Sequence, residues 1–461
     1  MVNETTQQVE VQGGHDELVM LSSSTTTTVK PALPIHEHRM PLSNLDLLLP
    51  PLEVSVFFCY LRPAPTVAAL KEALAKVLVK YYPLAGEVVA NTAGEPELLC
   101  GSTGVDFTEA SAGDAMLREL RLGMVDQGVE MLVPAKKSGV ISVQVTKFKC
   151  GGAVVGCTFD HRVCDAYSIN MFLVAWAAAS RDGHGFITPP APSFSRSLVA
   201  PRDPSPRTPS TDALIDRLFS PLSSTPLPPA SVSATAVNRI YHIAAADIMA
   251  LQGLAGPGRT KLEAFTAHLW QLCSRAASGR QRLCCMGMVV DGRARMSSDD
   301  RGAMKNYFGN VLTIPYGVIS GDDLRRRMSL ADVADDVHRW VREAATSEHF
   351  RGLIDWVEAL RPNPAAARAY LGGTGGVEAM ACIVSSGMGF PIAEADFGTG
   401  VPAFASYHFP WPAGAAYVMP MPSARGDGDW IVYVHAAPEL VKVMEEEPTV
   451  FKALHNSYVF G

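Results

Sequence analysis

The sequence has no long run of hydrophobic residues and no C-x-x-C pair, and its two adjacent cysteines, Cys284 and Cys285, lie inside an apolar run as core thiols would. Its longest apolar stretch extends from Met171 to Ala179, far short of the about 20 residues that a membrane-spanning helix needs. The nine cysteines are scattered, and no two of them form a C-x-x-C pair. This pattern argues against a zinc site and against structural disulfides, so we expect a cytoplasmic protein without a bound metal or a membrane span.

Several other signals are also missing. The chain has 39 basic and 46 acidic residues, a net charge of 39 − 46 = −7, and no basic stripe of the kind that nucleic acids bind. The first residues are polar and do not resemble a signal peptide. A G-x-S-x-G elbow is absent as well, which argues against a serine hydrolase, the nearest rival class of enzyme.

A proline-rich segment divides the chain. With 461 residues, more than one domain is expected. Residues 189–230 contain recurring prolines and serines without sustained periodicity, which indicates a crossover between domains. We therefore predict a disordered tail at residues 1–30, an N-terminal lobe at 31–188 and a C-terminal lobe at 231–461.

The best-defined local pattern surrounds His161. Val140–Val145 alternate apolar and polar residues like a half-buried strand, and Ala153–Phe159 are almost wholly apolar like a strand buried on both faces. Gly151-Gly152 lies between them and predicts the turn of a hairpin. An apolar helix is predicted from Ser168 onward, so His161 would sit on rigid elements, as a catalytic side chain needs.

The spacing of His161 and Asp165 is a weak signal by itself. A His-x-x-x-Asp pattern arises readily by chance in a chain with 12 histidines, and a histidine at a strand end can simply cap a turn. Strand and helix patterns interleave throughout both halves of the chain. We therefore predict an α/β protein with two similar layered lobes, and the role of His161 depends on what the rest of the chain adds.

The second half carries a clear helix start. Thr260 and Glu263 form the pattern of a capping box, and an apolar helix face follows them. Further helices are predicted at about Ser329–Ala344 and Pro438–Glu446. The strands of this half are predicted near residues 238–243, 284–290, 381–384, 415–419 and 430–434.

Several blocks of residues together resemble one family, the plant BAHD acyl-CoA-dependent acyltransferases. His161-x-x-x-Asp165 is similar to the first signature of that family. Residues 396–400, Asp-Phe-Gly-Thr-Gly, are similar to the second, which usually reads Asp-Phe-Gly-Trp-Gly. Four more blocks match in the same order: Tyr82–Gly86, Glu263–Trp270, Asp291–Arg295 and Tyr307–Asn310. The resemblance covers roughly residues 30–461.

The resemblance implies two chloramphenicol-acetyltransferase-like lobes, each a mixed sheet with flanking helices. A channel between them would admit acyl-CoA from one side and a small acceptor from the other, with no permanently bound cofactor and no partner chain. His161 would be the general base. Asp165 would hold its loop in a structural ion pair, and Asp396 would be structural too, pairing with Arg293.

Two departures from the family pattern bear on the substrate. Thr399 replaces the usual tryptophan, and its hydroxyl is a candidate for the oxyanion site or the channel wall. Gly387 and Gly389 occupy the acceptor-pocket positions where members that use shikimate or quinate carry Trp and Arg. Without that arginine, a carboxylate acceptor loses its bidentate clamp, so shikimate and quinate should be poor acceptors.

The acceptor stays open at this stage. We expect an aromatic or aliphatic acyl group, such as hydroxycinnamoyl, to be moved to the hydroxyl of a phenylpropanoid-type alcohol in plant specialised metabolism. An amine such as putrescine or agmatine is the second possibility, and the altered motif at Thr399 leaves a non-catalytic accessory protein as a third. Arg259 and Lys261 are candidates for binding the CoA phosphates, with a solvated helix start as the alternative.

Overall fold

The structure is a computed structural model that describes residues 21–126, 128–181, 190–203, 209–222, 236–277, 282–296, 302–371, 379–409 and 415–461. Its helices are α1 (Val67–Lys80), α2 (Ala166–Arg181), α3 (Pro209–Leu218), α4 (Ala245–Ala255), α5 (Lys261–Ala276), α6 (Arg293–Met296), α7 (Gly321–Arg326), α8 (Leu330–Ala344), α9 (Ser347–Leu360), α10 (Pro438–Glu445) and α11 (Asn456–Phe460).

The strands of the first half are β1 (Ser23–Val29), β2 (His38–Pro41), β3 (Glu53–Tyr60), β4 (Glu87–Ala90), β5 (Pro96–Cys100), β6 (Val105–Ser111), β7 (Ile141–Lys147), β8 (Ala153–Asp160) and β9 (Phe219–Pro221). Those of the second half are β10 (Val237–Ile243), β11 (Leu283–Met288), β12 (Val290–Asp291), β13 (Leu312–Thr313), β14 (Tyr316–Ser320), β15 (Ala365–Ala367), β16 (Ala379–Val384), β17 (Phe404–His408), β18 (Ala416–Pro422), β19 (Trp430–Ala436) and β20 (Lys452–Ala453).

Two mixed sheets form the cores of two lobes. The first has six strands in the order β1-β6-β7-β8-β3-β17, and the second has seven in the order β14-β11-β16-β18-β19-β10-β20. Helices α1 and α2 pack together in the first lobe, and α5 packs against α4, α7, α8 and α10 in the second. The α/β architecture with two layered lobes is therefore confirmed.

The hairpin that carries His161 is present as predicted. Strands β7 and β8 pair antiparallel, with Ile141 opposite Phe159 and Lys147 opposite Ala153. Gly151 in the turn has a φ of +81°, a left-handed conformation that glycine adopts at little cost. The pattern was wrong in one respect, because β7 is buried on both faces rather than one.

The polar face of β7 is covered by the chain at residues 129–133. Gln144 lies on that face and donates from Nε2 to the carbonyl oxygen of Met131 at 2.7 Å, so a buried polar side chain keeps a hydrogen-bond partner. On β8, a Cβ added at Gly156 would come within 2.4 Å of the carbonyl oxygen of Leu132. Glycine at this position lets the covering segment approach the strand closely.

Helix α2 begins directly after His161 and is capped by Asp165. The Asp165 carboxylate accepts the backbone N–H of Ser168 at 2.9 Å, and its carbonyl oxygen accepts the N–H of Ile169. An aspartate at this position satisfies amide groups that have no partner within the helix. The helix is held to its neighbour by Trp176, whose indole N–H donates to the carbonyl oxygen of Leu70.

The predicted disordered tail is wrong for Ser23–Val29. These residues form β1, which pairs antiparallel with β6. The run of β-branched threonines suits an extended strand, and Thr26 is hydrogen-bonded across the pair to Thr108 at 2.9 Å. The low hydrophobicity that suggested disorder belongs to an edge strand whose residues are mostly exposed. Residues 1–20 lie outside the described part of the chain.

The crossover has more structure than its composition indicated. Within residues 189–230 the described part includes α3, whose Ile215 and Leu218 are fully buried, so this segment does contribute to the core. The lobes are also not divided at one position in the sequence. Strand β17 belongs to the second half of the sequence but pairs with β3 in the first sheet. Among the described residues, no helix is long and apolar enough to cross a membrane.

Candidate active site

A large cavity lies between the two lobes, and His161 is on its wall. The cavity has a volume of about 1160 Å³. One face of α2, from Ala166 to Arg181, lines one side of the cavity. At a rise of about 1.5 Å per residue, this face is roughly 22 Å long. The cavity wall includes Val54, Phe159, His161, Asn170, Met171, Val174, Tyr370, Ser385, Ser386, Phe390, Tyr407, Phe409, Tyr417 and Met419. We call it the interlobe cavity. The imidazole is therefore reachable by a ligand rather than enclosed in the core.

His161 is fixed at the exit of β8. Its backbone N–H donates to the carbonyl oxygen of Leu52 at 2.9 Å, and the ring of Phe409 meets the imidazole edge-on with 5.7 Å between the ring centres. Nδ1 of His161 is 3.1 Å from Oδ1 of Asn310. The ring is thus held from both the first lobe and the second.

Asn310 determines which ring nitrogen of His161 carries the proton. Its Nδ2 donates to Oδ1 of Asp46 at 2.9 Å and to the carbonyl oxygens of His161 and Arg162 at 2.9 and 3.2 Å. Because three acceptors surround that nitrogen, the amide oxygen must be the atom that faces the imidazole, and an oxygen can only accept. His161 therefore donates from Nδ1, which leaves the lone pair of the neutral ring on Nε2.

The protein environment favours the neutral form of this imidazole. Burial lowers the pKa of His161 below its usual value, and this outweighs the opposing effects of Asp165, Asn310 and Asp160. At neutral pH the ring is consequently uncharged, with one nitrogen ready to accept a proton. This is the state that a general base needs.

Asp165 does not contact the imidazole but forms a buried ion pair. Its Oδ2 lies 2.7 Å from an Nη atom of Arg293, and its Oδ1 lies 3.1 Å from the other. The same guanidinium binds Asp291 at 2.6 Å, the hydroxyl of Ser168 at 3.0 Å and the carbonyl oxygen of Gly309 at 2.8 Å. The pair thus joins the start of α2 to two segments of the second lobe.

The expected pairing of Asp396 with Arg293 is wrong. Arg293 is occupied by Asp165 and Asp291, whereas the basic group near Asp396 is Arg181, at the end of α2, 3.9 Å away. Oδ1 of Asp396 accepts the backbone N–H groups of Gly398 and Gly400 at 2.8 and 2.9 Å. Its carboxylate therefore closes a local turn.

The second motif packs against the first lobe through Phe397. The ring of Phe397 lies edge-on to Trp176 of α2, with 4.8 Å between ring centres, and to Tyr60 of β3, with 5.8 Å. Thr399 is not part of the cavity wall, and its Oγ1 is buried without a hydrogen-bond partner among the described residues. The structure does not place this hydroxyl on the cavity wall, and oxyanion binding by Thr399 stays a prediction.

The two candidate acceptor-pocket glycines differ. A Cβ added at Gly387 would lie 2.6 Å from Cγ of Met421 and 2.9 Å from the ring of Phe390. Gly387 is therefore a packing position and is not part of the cavity wall. Gly389 does line the cavity, and a Cβ there would meet nothing within 4 Å. The space that an arginine side chain would enter is open.

Arg259 and Lys261 lie at the start of α5, away from the interlobe cavity. Nε of Arg259 is 3.5 Å from a carboxylate oxygen of Asp335, and Lys261 is exposed. Neither belongs to the cavity wall. The capping box is present at this helix start, since Thr260 and Glu263 exchange hydrogen bonds. Phosphate binding by the two basic residues stays a prediction.

Three groups at the site could not be predicted from sequence patterns. Asn310 orients His161 but is marked in the sequence only as the end of the block Tyr307–Asn310. Asp46, which is fully buried and holds Asn310, lies in a segment whose sequence has no distinguishing signal. Tyr407 lies in a strand that was not predicted, and its position in the cavity depends on how β17 inserts into the first sheet.

Comparison with known proteins agrees with this architecture. The family model named Transferase family matches residues 19–450. Putrescine hydroxycinnamoyltransferase 1 of Oryza sativa subsp. japonica is 31% identical over 445 residues, covering 89% of this chain and 94% of the relative. Shikimate O-hydroxycinnamoyltransferase of Nicotiana tabacum is 28% identical, covering 91% and 97%.

Solved structures show the same fold. Vinorine synthase superposes with a TM-score of 0.70 at 19% identity, covering 94% of this chain and 99% of that one. TRI101 of F. graminearum, in complex with Coenzyme A and T-2 mycotoxin, superposes with a TM-score of 0.69 at 14% identity, covering 89% and 97%. With the family match over nearly the whole length and hydroxycinnamoyltransferases among the relatives, this chain belongs to the Transferase family of BAHD enzymes and is an acyl-CoA-dependent acyltransferase.

Proposed function

We propose that this protein transfers a hydroxycinnamoyl group from its CoA thioester to the hydroxyl of a phenylpropanoid-type alcohol, with His161 as general base. The observation that carries the proposal is the hydrogen bond between His161 and Asn310. It leaves Nε2 of a neutral imidazole as the proton acceptor on the wall of a cavity large enough for both substrates.

The reaction follows from that arrangement. Nε2 of His161 accepts the proton of the acceptor hydroxyl as its oxygen forms a bond to the thioester carbonyl carbon. When the tetrahedral intermediate collapses, the carbon–sulfur bond breaks and the imidazolium returns the proton to the departing CoA sulfur. The products are an ester and free Coenzyme A. No covalent acyl-enzyme is required, because the two substrates meet in one cavity.

The direct test measures Coenzyme A release from p-coumaroyl-CoA with a panel of acceptors. His161→Ala should lower kcat by about 10²–10⁴-fold, the usual contribution of a general base. His349→Ala is a matched control, since His349 is also a buried histidine, bound to Thr313, but is not on the cavity wall. Equal release by wild type and His161→Ala would contradict the role of His161.

The cavity wall favours an uncharged acceptor over a carboxylic acid. The wall is largely apolar and aromatic, and Gly389 supplies no guanidinium that could hold a carboxylate. Of the basic side chains on the wall, Arg293 is bound by Asp165 and Asp291 and Arg181 lies near Asp396, which leaves Lys305. Coniferyl alcohol should therefore be turned over faster than shikimate or quinate. Robust turnover with either acid would contradict this part of the proposal.

An amine acceptor is the second candidate, and Glu394 favours it. Its exposed carboxylate lies on the cavity wall and has no ion-pair partner among the described residues. It could bind the distal ammonium group of a diamine such as putrescine or agmatine, and one relative is named for putrescine. If an amine is the acceptor, Glu394→Gln should raise KM for putrescine but not for an alcohol. If Glu394→Gln and wild type have the same KM for putrescine, the alcohol remains the proposed acceptor.

The idea of a non-catalytic accessory protein rested on Thr399. Thr399 is not on the cavity wall, so threonine in place of the usual tryptophan gives no reason to expect a changed surface around His161. The accessory role is therefore not proposed for this chain. A cytoplasmic location and a monomeric state stay predictions from the sequence.

A further inference from the structure

Tyr407 places a buried hydroxyl at the interlobe cavity. Its side chain is only 1% exposed and belongs to the cavity wall. The hydroxyl forms no hydrogen bond of normal geometry within the described part of the chain, although the side chain of Asn170 lies close enough to interact with it. Buried polar groups are paired in the great majority of cases, because leaving one unpaired costs more than an ordinary hydrogen bond contributes. A buried phenol at a ligand cavity is therefore available to a polar group of the ligand.

The position of Tyr407 relative to His161 indicates which part of a ligand would reach it. Tyr407 lies two residues before Phe409, whose ring contacts the imidazole of His161. Phe409 directly follows the end of β17, and two residues of extended chain span roughly 6.6 Å. A substrate whose reacting carbonyl is at His161 would thus pass Phe409 and present its far end to Tyr407.

The surroundings of Tyr407 suit the ring of an aromatic substrate. The ring of Phe390 lies 4.7 Å from that of Tyr407, and the rings of Phe409 and Tyr417 are stacked 4.1 Å apart. All four rings belong to the cavity wall. Flat aromatic surfaces of this kind pack well against another ring.

Asn170 supplies a second polar group at the same place. It lies on α2, is 8% exposed and lines the cavity beside the Tyr407 hydroxyl. Its Nδ2 donates to the carbonyl oxygen of Ala166 at 2.7 Å, which fixes the amide against the helix. A ligand hydroxyl at this position can donate to one of the two side chains and accept from the other.

We propose that Tyr407 and Asn170 bind the phenolic hydroxyl of the hydroxycinnamoyl group and thereby select hydroxylated cinnamoyl-CoA over cinnamoyl-CoA. This inference rests on the proposed function. We assign the phenol to the donor rather than the acceptor because the relatives share the hydroxycinnamoyl group in their names while their named acceptors differ, being putrescine, shikimate and 5-hydroxyanthranilate. A site built for a hydroxyl rejects the analogue that lacks it, because its own polar groups then stay unpaired.

The test compares kcat/KM for p-coumaroyl-CoA and cinnamoyl-CoA with one fixed acceptor. Wild type should prefer p-coumaroyl-CoA by about tenfold or more, the effect of one lost hydrogen bond in a buried site. Tyr407→Phe should bring this ratio close to one. Tyr81→Phe is the matched control, since Tyr81 also lines the cavity but its hydroxyl is already bound to the carbonyl oxygen of Met171 at 3.1 Å. In Tyr81→Phe, the ratio of kcat/KM for p-coumaroyl-CoA to kcat/KM for cinnamoyl-CoA should stay at the wild-type value.

The outcomes separate this inference from the proposed function. Turnover of both thioesters at equal efficiency by wild type would overturn the role of Tyr407 and leave hydroxycinnamoyl transfer intact. An unchanged preference in Tyr407→Phe would overturn it as well, and so would a preference that depends on a phenol of the acceptor rather than of the donor. Absence of turnover with either thioester would count against the proposed function. Calorimetric titration of His161→Ala with the two thioesters then tests Tyr407 by affinity alone, with p-coumaroyl-CoA expected to bind more tightly.

Discussion

The buried ion pair between Asp165 and Arg293 should contribute more to stability than any surface pair of this protein. The side chains of Arg293 and Asp165 are 4% and 2% exposed. Removing one partner of such a pair typically costs 3–5 kcal/mol, because a charge stays buried without compensation. We expect the two single variants to fall at different ends of this range.

Arg293→Met should be the more damaging substitution. It leaves the Asp165 carboxylate uncompensated and also removes donors from the hydroxyl of Ser168 and the carbonyl oxygen of Gly309, so we expect a loss of about 5 kcal/mol in the free energy of unfolding. Asp165→Asn should cost about 3 kcal/mol, because Arg293 keeps Asp291 as a partner. The double variant should lose less than the sum of the two, since the residues are in direct contact.

Urea denaturation followed by circular dichroism measures these differences. Arg217→Met is the matched control, because Arg217 and Glu343 form an exposed ion pair with side chains 54% and 41% accessible, and such pairs contribute only about 0–1 kcal/mol. If Asp165→Asn stays within about 1 kcal/mol of wild type, or if the two single losses add fully in the double variant, the buried pair does not organise the site as described.

Three further predictions concern activity, and a fourth concerns stability. Burial lowers the pKa of His161, and only the neutral ring accepts a proton. We therefore expect kcat/KM to be constant at neutral pH and to fall as the pH decreases through a value below 6.5. A fall that begins above pH 7 would contradict the lowered pKa. Gly389→Arg should raise turnover of shikimate, since the side chain enters open space; no gain with the acid would show that the site cannot hold a carboxylate. Gly387→Ala should instead destabilise the fold by forcing Met421 and Phe390 to move. Thr399→Trp should leave kcat/KM near the wild-type value, and a large change would place that residue at the site after all.

The elements around His161 could be predicted because their causes are local. Alternation of side chains defines β7, the apolar run defines β8, and the helix after Asp165 shows its apolar face. The ion-pair role of Asp165 came from the family resemblance, and the structure supplies its partner. The pattern failed at Ser23–Val29, where a strand at a sheet edge is exposed and its composition resembles that of a disordered segment.

The partners of charged side chains could not be read in the same way. Arg293 and Arg181 are both arginines, and the sequence does not show which of them pairs with which aspartate. The packing of α2 decides that Asp165 pairs with Arg293 and that Asp396 lies near Arg181. The same applies to Thr399. It lies in a turn closed by Asp396 and does not belong to the cavity wall, and no sequence pattern encodes that placement.

The orientation of His161 shows why the site depends on both lobes. The imidazole leaves β8 of the first lobe, but the amide that selects its tautomer is 149 residues further along the chain, and Asp46 holds that amide across 264 residues. If the lobes separated, Nδ1 would lose its acceptor and either ring nitrogen could carry the proton. In the proposed mechanism, the lobe contact is therefore part of the catalytic apparatus. Asn310→Ala should accordingly lower kcat more than it raises KM, because the ring stays in the cavity but no longer presents its lone pair in a fixed direction.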